Sequence, residues 1–139
     1  MTDFSKLFYH KASILFAAGG AKSFLSAKLF ETLMRKMGVY VSSYSTDYLD
    51  DAVNYFKKDD LLLIFSAGGD STYIRKITNL KCKTLLVTAN PNAKYRKHFD
   101  KVITLPTLSG DWEYDSISPI MFDIFTELLV THYAKQMKN

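Results

Sequence analysis

The sequence predicts an α/β fold, in which a five-stranded parallel, doubly wound sheet carries helices on both faces. Three observations favour this fold. Short runs rich in Leu, Ile, Val and Phe recur along the chain, and each is too short for a stable helix, which is typical of strands buried on both faces. Segments whose apolar residues have helical spacing lie between these runs. The connections are only a few residues long, as in βαβ units.

Strands and helices alternate from one end of the chain to the other. The apolar run at 61–65 is the clearest strand, because a charged residue precedes it and a turn rich in Gly and hydroxyl side chains follows it. The predicted strands are 13–18, 39–41, 61–65, 84–88 and 101–105. The predicted helices are a leading helix within 1–12, then 24–37, 47–58, 72–80, a short polar one at 93–98, and 118–135.

Capping residues and helix breakers support the ends of several elements. Gly38 stands where the C-cap of the second predicted helix is expected. Residues 42–46 are polar and are predicted to form a loop. The helix after this loop begins with acidic residues and ends at Lys57-Lys58, an arrangement that suits the helix dipole. Pro106 ends the fifth strand because proline cannot donate a hydrogen bond to a sheet.

The last predicted helix is apolar over an unusually wide arc. Ser118 and Pro119 provide its cap and its first helical position. Its apolar side chains cannot all lie on one narrow stripe, so either part of the helix packs against another chain or its contact with the core is broad. These apolar residues are Ile117, Ile120, Met121, Ile124, Phe125, Leu128, Leu129 and Tyr133.

Length, charge and cysteine content exclude several classes of protein. The 139 residues are enough for a single domain, 1–139, with one core. The net charge of +4 suits an anionic ligand, but the basic residues form no stripe interleaved with aromatics, which argues against nucleic-acid binding by this segment. Cys82 is the only cysteine, which excludes an internal disulfide and fits a reducing cytoplasm. The sequence has no secretory signal pattern and no apolar run of membrane-spanning length.

Two Gly-containing turns carry the functional signal, and each lies between a predicted strand and a predicted helix. Glycines that let the backbone approach a ligand, followed by the N–H groups of a helix start, form a typical phosphate cradle. The first turn, 19–23, is neither a Walker loop nor a dinucleotide-binding fingerprint, because Ala21 stands where both motifs need glycine. The second turn, 66–72, is the stronger signal. A flavin-phosphate loop of the flavodoxin type is a competing interpretation, although that loop normally follows the first strand.

Together the two turns resemble those of the sugar isomerase (SIS) domain, which binds phosphosugars. The family pattern Gly-x-Gly-x-Ser is met at Gly19 and Ser23, with Ala21 as a departure. The likeness extends from about residue 13 to residue 135, and includes Asn90-Pro91-Asn92-Ala93 where the family often has Ser-Pro-Leu-Ala. The second pattern, Ser-x-Ser-Gly-[Glu/Asp]-[Thr/Ser], is met at Ser66, Gly69, Asp70 and Ser71, with Gly68 replacing the second Ser.

Within the SIS domains, the chain most resembles the C-terminal sensor domain of RpiR-type transcriptional regulators. The spacing from Tyr44 through Asp60 to Ser66, and the run at 122–125, are similar to that branch. The resemblance implies a flavodoxin-like three-layer sandwich that binds a sugar phosphate and forms a homodimer or higher homo-oligomer. Such regulators contact DNA through an N-terminal helix-turn-helix domain. None is found in this sequence, so we expect DNA contact only through a domain absent from this chain.

The resemblance also implies that both turns contact the phosphate. The departure at Gly68 removes one hydroxyl, whose hydrogen bond would contribute about 1.5–3 kcal/mol if its partner is charged. Capping of the helix by Ser23 and of the turn by Ser66 is an alternative role that is compatible with binding. The implied phosphate-binding residues are Gly19, Ser23, Ser66, Gly69, Ser71 and Thr72.

The implied function is a phosphosugar sensor whose ligand modulates the arrangement of a dimer. A small aldose–ketose isomerase is an alternative, and it would need a general base. The isomerases of the family use Glu and His before the last helix, a loop in which Glu113 is the candidate base here, although its acids also suit an ordinary solvated loop. No His and carboxylate pair has metal-ligand spacing, so neither a metal nor another cofactor is expected. The departures at Ala21 and Gly68 raise a third hypothesis, a dimerisation scaffold without ligand binding.

Overall fold

The computed structural model describes residues 15–46, 53–69, 80–107, 109–111, 113 and 120–137. The predicted leading helix within 1–12 and the predicted helix at 72–79 lie outside these residues. Within them the strands are β1 (Leu15–Gly19), β2 (Val41–Ser45), β3 (Leu61–Phe65), β4 (Lys83–Thr88) and β5 (Lys101–Thr104). The α-helices of the same residues are α1 (Ala21–Lys36) and α2 (Ile120–Met137), and short 3-10 helices occur at Val53–Tyr55 and Arg96–His98.

The strands of the described residues form one parallel sheet in the order β2-β1-β3-β4-β5. The chain passes from β1 to β2 on one side and then crosses to the other side of β1 for β3. The strand order therefore reverses between β1 and β3, and this is the switch point of a doubly wound sheet. The predicted flavodoxin-like α/β fold, with its parallel five-stranded sheet, is confirmed.

Successive side chains of the central strands point to opposite faces, and both faces are covered, which explains why these strands are apolar throughout. On one face α1 and α2 pack against the sheet, and the Phe122 ring meets the Phe65 ring edge-on at 5.5 Å. This face buries Leu15, Ala17, Leu61, Leu63, Phe65, Leu85 and Val87 with Ala27, Phe30, Met34, Phe125 and Leu129. The other face buries Phe16, Ala18, Leu62, Ile64 and Leu86 with Phe56, Cys82, Ala93, Tyr95 and Phe99.

The second strand lies further along the chain than the sequence predicted. It spans Val41–Ser45 instead of 39–41, so the residues predicted to form a polar loop are the strand. The strand tolerates serines because β2 is at the edge of the sheet, where side chains can replace strand partners. The buried Glu31 carboxylate of α1 does so, since its Oε2 accepts hydrogen bonds from the N–H and Oγ of Ser43 at 2.7 and 2.5 Å.

Two further predicted helices differ from the structure. The helix predicted at 47–58 does not reach Lys57, because the helical segment described in this region is the 3-10 helix Val53–Tyr55. The Lys57 N–H instead donates to Oδ2 of the buried Asp60 at 2.7 Å, which turns the chain into β3. The short helix predicted at 93–98 is a 3-10 helix at Arg96–His98, preceded by turns.

The two α-helices match their predictions more closely. Gly38 follows α1 with φ +84°, and its N–H donates to the Arg35 carbonyl at 3.0 Å, as expected of a glycine C-cap. In α2 the predicted wide apolar arc divides between the core and an exposed stripe that contains Ile124 and Leu128. Neither α1 nor α2 combines the length and hydropathy that a membrane-spanning helix needs.

Candidate functional site

The two predicted turns emerge side by side at the switch point of the sheet. β1 and β3 are hydrogen-bonded neighbours, and Gly19 at the end of β1 pairs with Phe65 at the end of β3. Both strands run in the same direction, so Gly20 and Ser66 leave the same edge of the sheet next to each other. Ligands of open α/β sheets bind beyond this edge, at the switch point. The structure thus brings together two segments that are 46 residues apart in the sequence.

The turn after β1 brings the start of α1 very close to the strand. A Cβ placed on Gly19 would lie 2.5 Å from the backbone carbonyl of Ser23, so no larger residue fits without moving the helix. Gly20 is the N-cap, with an extended backbone (φ −86°, ψ 162°), and within the described residues no side chain caps this helix and no acidic residue lies in its first turn. Its first N–H groups and the positive end of its dipole are therefore suited to an anion.

Ser23 lies inside the first turn of α1 and is half-buried. Because Gly20 occupies the N-cap position, the capping role considered for Ser23 does not apply to the start of this helix. Ser26, one turn further on, is fully buried and faces α2, where its Oγ donates to Oδ1 of Asp123 at 3.0 Å. The two serines of α1 thus differ in place: Ser23 is near the edge of the sheet, and Ser26 is in the contact between helices.

The turn after β3 is held by its own first side chain. The buried Ser66 Oγ accepts a hydrogen bond from the Gly69 N–H at 3.1 Å, so Ser66 caps the turn, as the structural alternative predicted. A hydroxyl that accepts in this way keeps its own proton for a further acceptor. Gly69 has φ +64°, and a Cβ at this position would lie 2.6 Å from the Cβ of Ala93. The turn therefore needs glycine at position 69 for its conformation and for its packing.

The segment after β4 contributes two residues that sequence reasoning missed. Thr88 is fully buried at the end of β4, and its hydroxyl donates to the Ala67 carbonyl at 2.9 Å. Asn90 is also buried, and its Nδ2 donates to the Gly68 carbonyl at 3.0 Å. The available signal was their position, since polar side chains at the carboxyl end of an otherwise apolar strand lie on the ligand-binding edge.

The remaining predicted site residues are not part of this arrangement as described. Ser71 and Thr72 lie outside the described residues. Glu113 is exposed on the loop after the edge strand β5, and its N–H donates to Oδ1 of Asp111 at 2.9 Å. β4 and β5 separate this loop from the turn after β3 in the strand order. Glu113 remains a candidate base by sequence only.

A cleft of about 390 Å³ lies further along the same edge, at the ends of β4 and β5. Arg96 holds a positive charge at its rim, because one guanidinium nitrogen donates to the Pro91 carbonyl at 3.1 Å and to the Thr104 hydroxyl at 3.0 Å. Asp111 contributes a carboxylate to the lining. Within the described part of the chain, no three His, Cys, Asp or Glu side chains are grouped closely enough to hold a metal ion.

Comparison with known proteins shows similarity in structure but not in sequence. No family model matches the sequence, and no curated protein matches it. Similar structures include the E. coli CFT073 protein c3406 in complex with a sugar phosphate, at 13% identity and a TM-score of 0.83, covering 99% of this chain and 77% of that one. The sugar isomerase domain of the RpiR transcription factor from Sphaerobacter thermophilus matches at 13% identity and 0.80, covering 97% and 76%.

The NanR protein of Vibrio vulnificus, complexed with ManNAc-6P, matches at 11% identity and a TM-score of 0.80, covering 97% of this chain and 53% of that one. Two further matching structures, from Listeria monocytogenes and Methanococcus jannaschii, have been proposed to be sugar-phosphate isomerases. At these identities the likeness concerns the fold. The chain therefore has the flavodoxin-like α/β fold of sugar isomerase domains, as the two Gly-containing turns predicted.

Proposed function

We propose that this chain is a phosphosugar-binding sensor domain of an RpiR-type transcriptional regulator. The observation that carries the proposal is the meeting of two glycine turns at the switch point, beside the start of α1. Structures with this fold include two proteins complexed with sugar phosphates, one of which is ManNAc-6P, and one RpiR transcription factor. The phosphate would lie between Gly20 and Ser66, where it receives backbone N–H groups, the Ser66 hydroxyl and the dipole of α1. Ser71 and Thr72 stay in the proposed contact set.

Thermal stability of the purified chain, measured against a panel of sugar phosphates, tests the proposal directly. At one hundred times its dissociation constant, a ligand adds about 2.7 kcal/mol of stability, which is several degrees in Tm for a domain of this size. The panel contains fructose 6-phosphate and ManNAc-6P, with the unphosphorylated sugars and inorganic phosphate as controls. No shift with any sugar phosphate would overturn the proposal and favour a scaffold that has lost ligand binding.

A matched pair of serine variants locates the site. Ser23→Ala removes a hydroxyl near the edge of the sheet, whereas Ser26→Ala removes one that bonds Asp123 between the two helices. We expect Ser23→Ala to weaken the ligand-induced shift, and Ser26→Ala to lower stability while leaving that shift unchanged. Equal ligand-induced shifts in both variants and in the wild type would place the phosphate elsewhere.

Signalling in this proposal requires a second copy of the chain. Ile124 and Leu128 lie one helical turn apart on α2 and are 43% and 57% exposed, and Leu25 on the neighbouring helix α1 is 63% exposed. We propose that this apolar surface forms a homodimer contact and that ligand binding favours one dimer arrangement by its differential affinity for the two. Leu128→Glu is expected to dissociate the dimer in sedimentation experiments. Thr131→Glu, an exposed polar position on the same helix, is the control.

A phosphosugar isomerase is the second candidate function, favoured by the two matching structures that have been proposed to be such enzymes. Glu113 would act as the base that moves a proton between adjacent carbons. Turnover of fructose 6-phosphate that is abolished in Glu113→Gln would favour the enzyme. Binding without turnover across the panel would favour the sensor.

A further inference from the structure

The turn between Ser66 and Gly69 contains two adjacent glycines, which make its backbone easy to deform. Its internal support is a single bond between the Gly69 N–H and the Ser66 hydroxyl, as far as the described residues show. A cradle for an anion needs N–H groups that already point at the ligand, because reorientation on binding reduces affinity. Contacts from outside the turn must therefore hold its peptide groups.

The residues after β4 supply those contacts. The Ala67 carbonyl accepts hydrogen bonds from the Thr88 hydroxyl at 2.9 Å and from the Ala89 N–H at 3.1 Å. The next carbonyl, that of Gly68, accepts from Nδ2 of Asn90 at 3.0 Å. Two successive carbonyls of the turn are thus drawn toward the β4 side of the sheet.

The orientation of a carbonyl determines that of the N–H in the same peptide. In a trans peptide the two groups point in opposite directions. Because the Ala67 carbonyl points toward the segment after β4, the Gly68 N–H points away from it. β3 lies between β4 and β1 in the sheet, so this direction is the side of the turn after β1. The Gly68 N–H thus points to the side on which the phosphate is proposed to bind.

Thr88 and Asn90 also hold each other. The Thr88 hydroxyl accepts from the Asn90 N–H at 3.2 Å, and Oδ1 of Asn90 accepts from the Asn92 N–H at 2.9 Å. Both side chains are buried, so these bonds are made away from water, where each is costly to break. Ala93, at the end of the same segment, fills the space above Gly69. The segment after β4 is a rigid support for the turn.

We propose that Thr88 and Asn90 are positioning residues, which hold the Gly68 N–H toward the bound phosphate of a sugar phosphate. This inference rests on the proposed function, because it assumes that the turns bind phosphate. It also explains how position 68 can contribute without the hydroxyl found in the SIS pattern, since the backbone N–H donates in its place. Neither side chain needs to contact the ligand.

The test compares two identical substitutions at opposite ends of β4. Thr88→Val removes the hydroxyl beside the turn. Thr84→Val removes one that is also buried and also forms two hydrogen bonds, with Oδ2 of Asp100 at 3.3 Å and with the Asp100 N–H at 3.2 Å, but at the amino end of the strand. Both variants should lose stability. Only a positioning role makes their affinities differ.

Affinity is measured by isothermal titration with fructose 6-phosphate, ManNAc-6P and inorganic phosphate, using the whole chain. We expect Thr88→Val to bind the sugar phosphate about three- to tenfold more weakly, the loss of one hydrogen bond, and Thr84→Val to bind within about twofold of the wild type. Thr88→Ser keeps the hydroxyl and should restore affinity. Asn90→Ala should weaken binding as Thr88→Val does, and it provides the test if Thr88→Val does not fold.

The outcomes separate the two proposals. If the wild type binds and both Thr88→Val and Asn90→Ala bind equally well, the positioning role is overturned while the proposed function stands. If Thr84→Val loses as much affinity as Thr88→Val, the effect follows general stability and the positioning role is also overturned. If the wild type binds none of these compounds, the proposed function fails and this inference fails with it.

Discussion

Replacing Gly69 with alanine tests how closely the turn after β3 fits against the segment after β4. Two costs add in Gly69→Ala. The left-handed backbone at φ +64° costs an alanine about 1–2 kcal/mol. The new Cβ would also lie 2.6 Å from the Cβ of Ala93 and 3.1 Å from the Thr88 hydroxyl, and such overpacking costs about 1–3 kcal/mol. We expect a loss of about 2–5 kcal/mol, a large share of the stability of a small domain.

Two variants separate these costs. Gly38 has φ +84° and no atom within 4 Å of the position that a Cβ would occupy, so Gly38→Ala should show the backbone cost alone, about 1–2 kcal/mol. The double variant with Gly69→Ala and Ala93→Gly removes the closest contact. It should recover part of the loss, judged against Ala93→Gly alone in a double-mutant cycle.

Urea unfolding followed by far-UV circular dichroism gives the free energies, provided that the transitions are two-state. A loss in Gly69→Ala no greater than that in Gly38→Ala would refute the reasoning, because the contact with Ala93 would then impose no constraint. An additive double-mutant cycle would refute it as well. Either result would show that the turn moves freely against the segment after β4.

Two other predictions concern groups away from the site. Burial by itself would raise the pKa of Glu31, but hydrogen bonds from Lys28 and Ser43 hold it below its ordinary value of 4.5, so its contribution to stability is present above pH 4.5 and is lost as the pH falls through the lower folded value. The stability difference between wild type and Glu31→Gln should therefore be greatest near neutral pH and shrink in acid, and a difference that grows in acid would contradict this. Burial raises the pKa of Cys82 to about 11, so this thiol should react with a disulfide reagent at pH 7 only after unfolding in urea; rapid reaction of the folded protein would contradict its burial.

Several elements were predictable because their signals are local. The runs at 61–65 and 84–88 read as buried strands by composition alone, and they are β3 and most of β4. Gly38 predicted the end of α1 because only glycine adopts the left-handed conformation at little cost. The alternation of these elements was enough to predict a parallel sheet.

β2 was misplaced because its stability depends on a partner distant in the sequence. The serines at 42, 43 and 45 look like a loop in isolation, and they form a strand since β1 pairs with them and Glu31 accepts hydrogen bonds from Ser43. Periodicity cannot show such a contact. The same reason explains the wide apolar arc of α2, whose division into a buried side and an exposed stripe is decided by how the helix packs on the sheet.

The candidate site divides in the same way between sequence and structure. The sequence by itself determined that two glycine turns follow two strands, since backbone conformation and close approach require glycine locally. Only the tertiary structure decided that these turns meet, because their proximity results from β3 crossing to the far side of β1. It also decided that Thr88 and Asn90 support the second turn, through hydrogen bonds that span more than twenty residues and leave no periodic trace in the sequence.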